Sequence, residues 1–188
     1  MTQRLNALLE SLDPDLQRIA GARHHNPGAV LGRHEFRGAD VVILYLPGAA
    51  SARLEGRHDA SRHGASDFFV WSGRKGDLPP RYRVSWDDGR GGKGEFHDPY
   101  AFRPVPDADG LARFAAGNSV DAWKLLGAHI TALDGIEGVL FSVWAPNAER
   151  VSVVGDFNGW DGRRHPLGVH GASGVWTLFI PGLAAGTI

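Results

Sequence analysis

The feature that most narrows what this chain can fold into is that it repeats itself. "LGRH" at 31–34 returns as "LGAH" at 126–129, 95 residues on. Pro47, Ala49 and Gly56 return as Pro146, Ala148 and Gly155, 99 residues on, and "HGAS" at 63–66 returns unchanged at 170–173, 107 residues on. The anchors keep their order, and the spacing only grows, as it does when loops lengthen between two copies of one unit. Between the anchors apolar run faces apolar run: "VVILYLPGAA" against "VLFSVWAPNA", and "DFFVW" against "GVWTL".

Both units read as β-structure. Short runs rich in Val, Ile, Phe and Trp occupy 40–46, 51–56, 67–73 and 81–86 in the first copy and 139–145, 149–157 and 174–180 in the second. They are set between turns in a chain with 26 Gly and 11 Pro. The expectation is an all-β fold of two immunoglobulin-like β-sandwiches in tandem with a short N-terminal helical segment. The first module is placed at 27–103, the second at 126–188, and 104–125 is a connecting segment, turn-rich in "PVPDADG" and helix-like in "LARFAAGNSVDAWKLL". Residues 1–26 are the helical segment: Leu5, Leu8, Leu9, Leu12, Leu16 and Ile19 form a one-sided apolar stripe that needs a neighbouring domain to cover it. Pro14 leaves one helix or two short ones equally open. In the first copy "RYRVSW" and "GKGEFHDPY" close the unit. The second copy reaches "PGLAAGTI" without counterparts, so the second sandwich is expected to be incomplete and the chain a piece of a longer protein. The Gly-rich "DDGRGGKGEFH" reads as a hairpin tip: Lys93 is followed by Gly94 rather than Ser or Thr, and no helix follows to receive a phosphate.

Composition excludes several classes. The formal net charge is -1, with 17 Arg and three Lys scattered along the chain, which argues against a nucleic-acid partner. With no Cys there is neither a disulfide framework nor a thiolate metal site. No segment reads as a signal peptide or a membrane span, so a cytoplasmic chain with no membrane partner is expected. His24-His25, and His58 with His63, read as surface histidines, with no metal and no cofactor.

The stretch "SVWAPNAERVSVVGDFNGWDGRRHPL" (142–167) carries the chemistry that remains. "VWAPNA" is a strand running into a Pro-Asn turn, and "VVGDFNGW" a strand ending in a loop where Asp156, Asn158 and Gly159 suit Asx and left-handed geometry. An indole covers the flat C–H face of a sugar while nearby amides and carboxylates meet its hydroxyls. Trp144, Trp160, Asn158, Asp156 and Trp176 are the candidate carbohydrate-binding residues. Each has a structural alternative: Trp160 and Phe157 as anchors of the loop, Trp144 facing either side of its strand, Trp176 in the core, Asp156 in the turn. No carboxylate pair suited to catalysis is found.

"GVLFSVWAPNAERVSVVGDFNGWDGRRHPL", with "DPYAFRP" (98–104) and "KLLGAH" (124–129) ahead of it, resembles the N-terminal region of bacterial glycogen branching enzymes. The doubled module is similar to the long form of that family, the second module being of the type called carbohydrate-binding family forty-eight, or isoamylase N-terminal. The resemblance implies a non-catalytic portion that binds or orients α-glucan (glycogen or maltooligosaccharides) and influences which chain length is transferred. It implies sugar stacking at Trp144, and packing against a downstream catalytic barrel. There a retaining double displacement, absent from these 188 residues, would cut an α-1,4 link and form an α-1,6 branch. An interaction or spacer module without sugar affinity, and the same region of a debranching or trehalose-forming relative, stay open as alternatives.

Overall fold

A computed structural model describes residues 3–104 and 107–188. Met1 and Thr2, and Val105 and Pro106 in the turn-rich start of the connecting segment, lie outside the described residues. The chain opens with one helix, α1 (Gln3–Ala20), which runs through Pro14. Pro14 is exposed, so the carbonyl it leaves without a donor one turn back faces water rather than a core. Seven strands follow: β1 (Gly32–Phe36), β2 (Ala39–Tyr45), β3 (Ser51–Leu54), β4 (His58–Arg62), β5 (Phe68–Arg74), β6 (Arg83–Asp87) and β7 (Lys93–His97). Two short helices, α2 (Ala108–Ala115) and α3 (Ala122–Leu125), lead to β8 (Gly127–Leu133), β9 (Ile136–Trp144), β10 (Gly168–Val169) and β11 (Val175–Pro181).

The first seven strands make one curled antiparallel sheet in the order β1-β2-β5-β4-β3-β6-β7. It folds back on itself at β4, so Val42 and Leu44 of β2 and Phe69 and Trp71 of β5 share a core with Ala52, Leu54 and Val84 of the opposite half. That is a β-sandwich made from a single ribbon of strands. The second module is a four-stranded antiparallel sheet, β10-β11-β9-β8. Val151, Val153, Phe157 and Leu167, from the segment between β9 and β10, pack into the cluster that holds β11's Trp176 and Leu178.

The repeat is exact in register. β1-β2-β5-β4 and β8-β9-β11-β10 carry the same pairings: Ile43 opposes Val70 as Ser142 opposes Thr177, and Ser61 opposes Val70 as Gly168 opposes Thr177. Local hydrogen bonds recur as well. His34 Nε2 lies 3.1 Å from Leu31 O, and His129 Nε2 3.0 Å from Leu126 O. The Ser66 hydroxyl donates to His63 O as the Ser173 hydroxyl donates to His170 O. Both first hairpins turn through two left-handed residues, Arg37-Gly38 and Asp134-Gly135, the geometry that matches strand twist in a tight hairpin.

One expected strand is corrected. Segment 149–157 sits where β3 sits in the first copy, yet it forms only the bridge Ser152↔Pro166, flanked by Val153 N–H to His165 O (3.0 Å) and Leu167 N–H to Val151 O (2.8 Å). β3 is held by neighbours on both sides, β4 and β6. The 151–153 run has that support on one side, so its ladder shrinks to a single bridge.

Helix α1 buries Leu5, Leu9, Leu16 and Ile19 in a cluster with Val41, Ile43, Phe68 and Val70, the side of β2 and β5 that faces away from the sandwich core. The cluster continues through Tyr100 and Leu167 to Trp176, Leu178 and Ile180 of β11. The stripe read from the sequence is thus covered by the chain's own modules. Leu9→Ala, which empties a fully buried site, is expected to cost about 3 kcal/mol in urea unfolding followed by tryptophan fluorescence. A loss below about 0.5 kcal/mol would mean that the helix is not part of this core.

Candidate functional site

The "GDFNGW" loop is built from its own side chains. Asn158 Oδ1 accepts the Gly155 N–H (3.0 Å), while its Nδ2 donates to Val153 O (2.9 Å) and lies 2.9 Å from His165 Nδ1. With 5% of its surface exposed, Asn158 braces the loop and presents little to a ligand. Its amide closes a short 3-10 turn over Asp156–Asn158, which ends in the left-handed Gly159. Trp160 follows, also left-handed at φ 59°, a conformation that costs a bulky side chain about 1–2 kcal/mol and persists only where the surroundings impose it. Two hydrogen bonds impose it here: Trp160 N–H to Gly155 O (3.0 Å), and Trp160 Nε1–H to Asp156 Oδ1 (2.9 Å). The residue is left 60% exposed. Asp156 orients the indole through its bond to Nε1. Asp161 is equally occupied, accepting from the Arg163 backbone and guanidinium.

Trp144, the last residue of β9, is 54% exposed, in a T-shaped contact with the Phe114 ring of α2, centroids 5.6 Å apart and planes at 80°. Trp176 is different. It is 2% exposed and its Nε1–H donates to Ala145 O (3.0 Å), so it belongs to the core and leaves the set of surface candidates. The structure therefore presents Trp144 and Trp160 at the surface, with Asp156 beside the second, and sinks Asn158 and Trp176. Sequence reasoning passed over Phe114, and over Trp123, which is exposed with the Lys124 ammonium 5.6 Å from its ring centroid. Their signal was available: aromatic residues in a short linker whose helices bury nothing. Among the described residues no group of three or more His, Asp or Glu is placed to hold a metal, and no helix is long and apolar enough to cross a membrane.

The segment after the loop is anchored on the first module: Arg164 Nη2 donates to Pro47 O (2.9 Å) and the Tyr100 hydroxyl to Pro166 O (3.0 Å), while Arg81 Nε donates to Asp134 in the β8–β9 turn (2.7 Å). Behind these contacts is a cavity of about 140 Å³, lined in part by Tyr45, Trp86, Phe96, Asp98, Phe157 and His165. Asp98 is buried there, accepting the Tyr82 hydroxyl and the Tyr100 N–H (3.0 Å). Burial pushes its carboxyl up to about 6, against the pull of those two donors. Burial, aided by the neighbouring Arg164 charge, pushes His165 down to about 4.

Comparison with known proteins adds two family matches. Residues 13–100 match the N-terminal domain of the alpha-1,4-glucan branching enzyme GlgB, and residues 125–187 match carbohydrate-binding module 48, the isoamylase N-terminal domain. Similar relatives include the 1,4-alpha-glucan branching enzymes GlgB of Cellvibrio japonicus (46% identical, over 95% of this chain and 26% of the relative) and Methylococcus capsulatus (45% identical, over 97% and 25%). That of Nitrosococcus oceani is 42% identical over 92% of this chain and 23% of its own length. The chain thus spans about a quarter of the length of the curated relatives it matches.

The buried pair at the module junction gives a pH signature. His165 folds neutral, so its contribution to stability is complete above its ordinary value of 6.5 and is lost as pH falls towards 4. Asp98 folds protonated more readily than it does unfolded, so its contribution is complete below 3.8 and is lost as pH rises through 6. Each is worth about 3 kcal/mol, with opposite sign, over nearly the same window. His165→Asn is therefore expected to gain stability relative to the parent as pH falls from 6.5 to 4, and Asp98→Asn to lose it, in urea midpoints at pH 7, 5.5 and 4. Parallel pH profiles for parent and His165→Asn would remove His165 as a buried neutral group.

Proposed function

The chain belongs to the alpha-1,4-glucan branching enzyme family, carrying its N-terminal domain and a carbohydrate-binding module 48, and from that premise we propose that it is the non-catalytic part that holds α-glucan for chain transfer. The chemistry, cutting an α-1,4 link and re-forming the segment as an α-1,6 branch, belongs in this reading to a catalytic portion outside these 188 residues. The chain alone is expected to transfer nothing. Its substrates are glycogen and maltooligosaccharides, its setting is the cytoplasm, and its other partner is the catalytic barrel. Exposed apolar residues of the second module, Ile130, Val143 and Val154, offer that barrel a surface to cover.

The observation that carries the reading is Trp160. A tryptophan held in a costly backbone conformation, with its indole N–H tied to Asp156 and the residue 60% exposed, buries little apolar surface in return for that strain. It suits an indole kept rigid for a flat, uncharged partner, and pre-ordering lowers the entropy lost on binding. Asp156 and Trp144 are assigned to the same task, as orienter and as second plate.

Electrophoresis of the chain through native gels containing glycogen tests this. The parent is expected to be retarded, and Trp160→Ala to bind about tenfold more weakly, about 1.4 kcal/mol. Trp176→Phe, a core change, is expected to lower thermal stability and leave retardation intact. Parent and Trp160→Ala running alike, with and without glycogen, would support a spacer module without sugar affinity.

A further inference from the structure

The cavity of about 140 Å³ at the module junction is walled by aromatic rings from both sides: Tyr45, Trp86 and Phe96 of the first module and Phe157 of the second. It is partly enclosed, and none of the four rings is fully buried. Two more of its lining residues tie the modules together beside it, Arg164 Nη2 donating to Pro47 O (2.9 Å). An apolar void of about 150 Å³ takes up benzene, so this space suits one six-membered ring and not a polymer threaded through it.

Two polar groups with unused capacity line the same space. Asp98 is 2% exposed and accepts from two donors, the Tyr82 hydroxyl and the Tyr100 N–H (3.0 Å), with no cation paired to it among the described residues. An ionised carboxylate has about four lone-pair sites, so Asp98 keeps acceptor capacity. His165 is its complement. Burial keeps the ring neutral, and Asn158 Nδ2, 2.9 Å from His165 Nδ1, can only donate. Nδ1 therefore accepts and the ring proton sits on Nε2, which has no hydrogen-bond partner among the described residues.

These groups select the chemistry of an occupant. An anion would meet Asp98, and a cation would meet Arg164 and a further N–H donor. A hydrocarbon ring would leave the carboxylate and the imidazole N–H unanswered. A hydroxyl both donates to a carboxylate and accepts from an N–H, and aromatic walls cover the C–H faces of a saturated ring. We propose that this cavity is a site for one free, uncharged, hydroxylated six-membered ring, a hexose or cyclic polyol, whose hydroxyls donate to Asp98 and accept from His165 Nε2–H. The site is separate from Trp144 and Trp160 and does not depend on the α-glucan reading. It adjoins that surface through its own wall: Phe157 and Asn158 belong to the turn that precedes Trp160, so an occupant bears on the residues that hold the indole in place.

The test is NMR titration of the isotopically labelled 188-residue chain with D-glucose, read at the Trp86 indole N–H and the His165 ring, with Trp123, outside the cavity, as reference. D-Glucosamine as its cation, D-glucuronate as its anion and maltoheptaose are titrated in parallel. Saturable shifts with glucose are expected in the millimolar range, with the two ions and maltoheptaose at least about fivefold weaker. Ala49→Leu, which adds bulk to the cavity wall, is expected to abolish the glucose shifts, and Asp98→Asn to weaken binding about fivefold. Should either variant fail to fold, the comparison of the four sugars in the parent decides the matter. Trp86 and His165 unmoved by millimolar glucose, or either ion binding as tightly as glucose, would overturn the site. Maltoheptaose shifting both signals as strongly as glucose would mean that a chain end enters, and would overturn the free ring as occupant. Each of these failures leaves the gel result for Trp160→Ala, and the reading drawn from it, untouched.

Discussion

Strand β2 is buried on both faces, and much of the molecule is arranged to make that possible. Val42 and Leu44 point into the sandwich, where Leu54 and Val84 meet them, while Val41 and Ile43 lie with the leucines of α1. A strand in an antiparallel sandwich ordinarily has one wet face, so the continuous apolar run "DVVILYL" demands a second cover. The amphipathic helix at the N-terminus is that cover. The same cluster reaches Leu167 and β11. The covered face of one module is therefore continuous with the core of the next, and the modules are joined by apolar packing as well as by the hydrogen bonds of Tyr100, Arg164 and Arg81.

Duplication gives each part of the second module a built-in comparison. Backbone pairing is kept through four strands, yet where the first copy pairs Ile43 with Val70 the second pairs the buried hydroxyls of Ser142 and Thr177, and the exposed Trp144 stands where the first has Tyr45. Separately, the loop after the β3 counterpart gained "GDFNGW" where the first copy has "GRHDAS", and with it a braced, exposed tryptophan. Function in a sandwich of this kind resides in the surface grafted onto the strands, not in the strands themselves.

Much of this was legible in the sequence because strand registers follow anchor spacing. The increments 95, 99 and 107 are those by which the two sets of pairings are displaced. What escaped was structure without an apolar signal. β4 reads "HDASR" and is a strand only because β3 and β5 flank it. Segment 149–157 has a strand's composition and lacks a second neighbour, so composition misled where pairing decides. Gly56 and Gly155 match in the repeat but not in conformation: the first is left-handed in a hairpin turn, while the second is extended and bound by Asn158. Among the candidate site residues, side-chain direction was the missing knowledge. Trp144 and Trp176 stand on neighbouring strands one register position apart, and alternation sends them to opposite faces, Trp144 exposed at its strand's end and Trp176 in the core.

Hydrogen–deuterium exchange of the chain with and without maltoheptaose compares the two copies within one molecule and bears most directly on the claim that only the second has become a glucan surface. Glucan is expected to slow exchange in the second module, at 144–145 and 155–160, while leaving the matching strands 41–45 and 68–72 unchanged. Equal protection of both copies, or protection confined to the first, would contradict it.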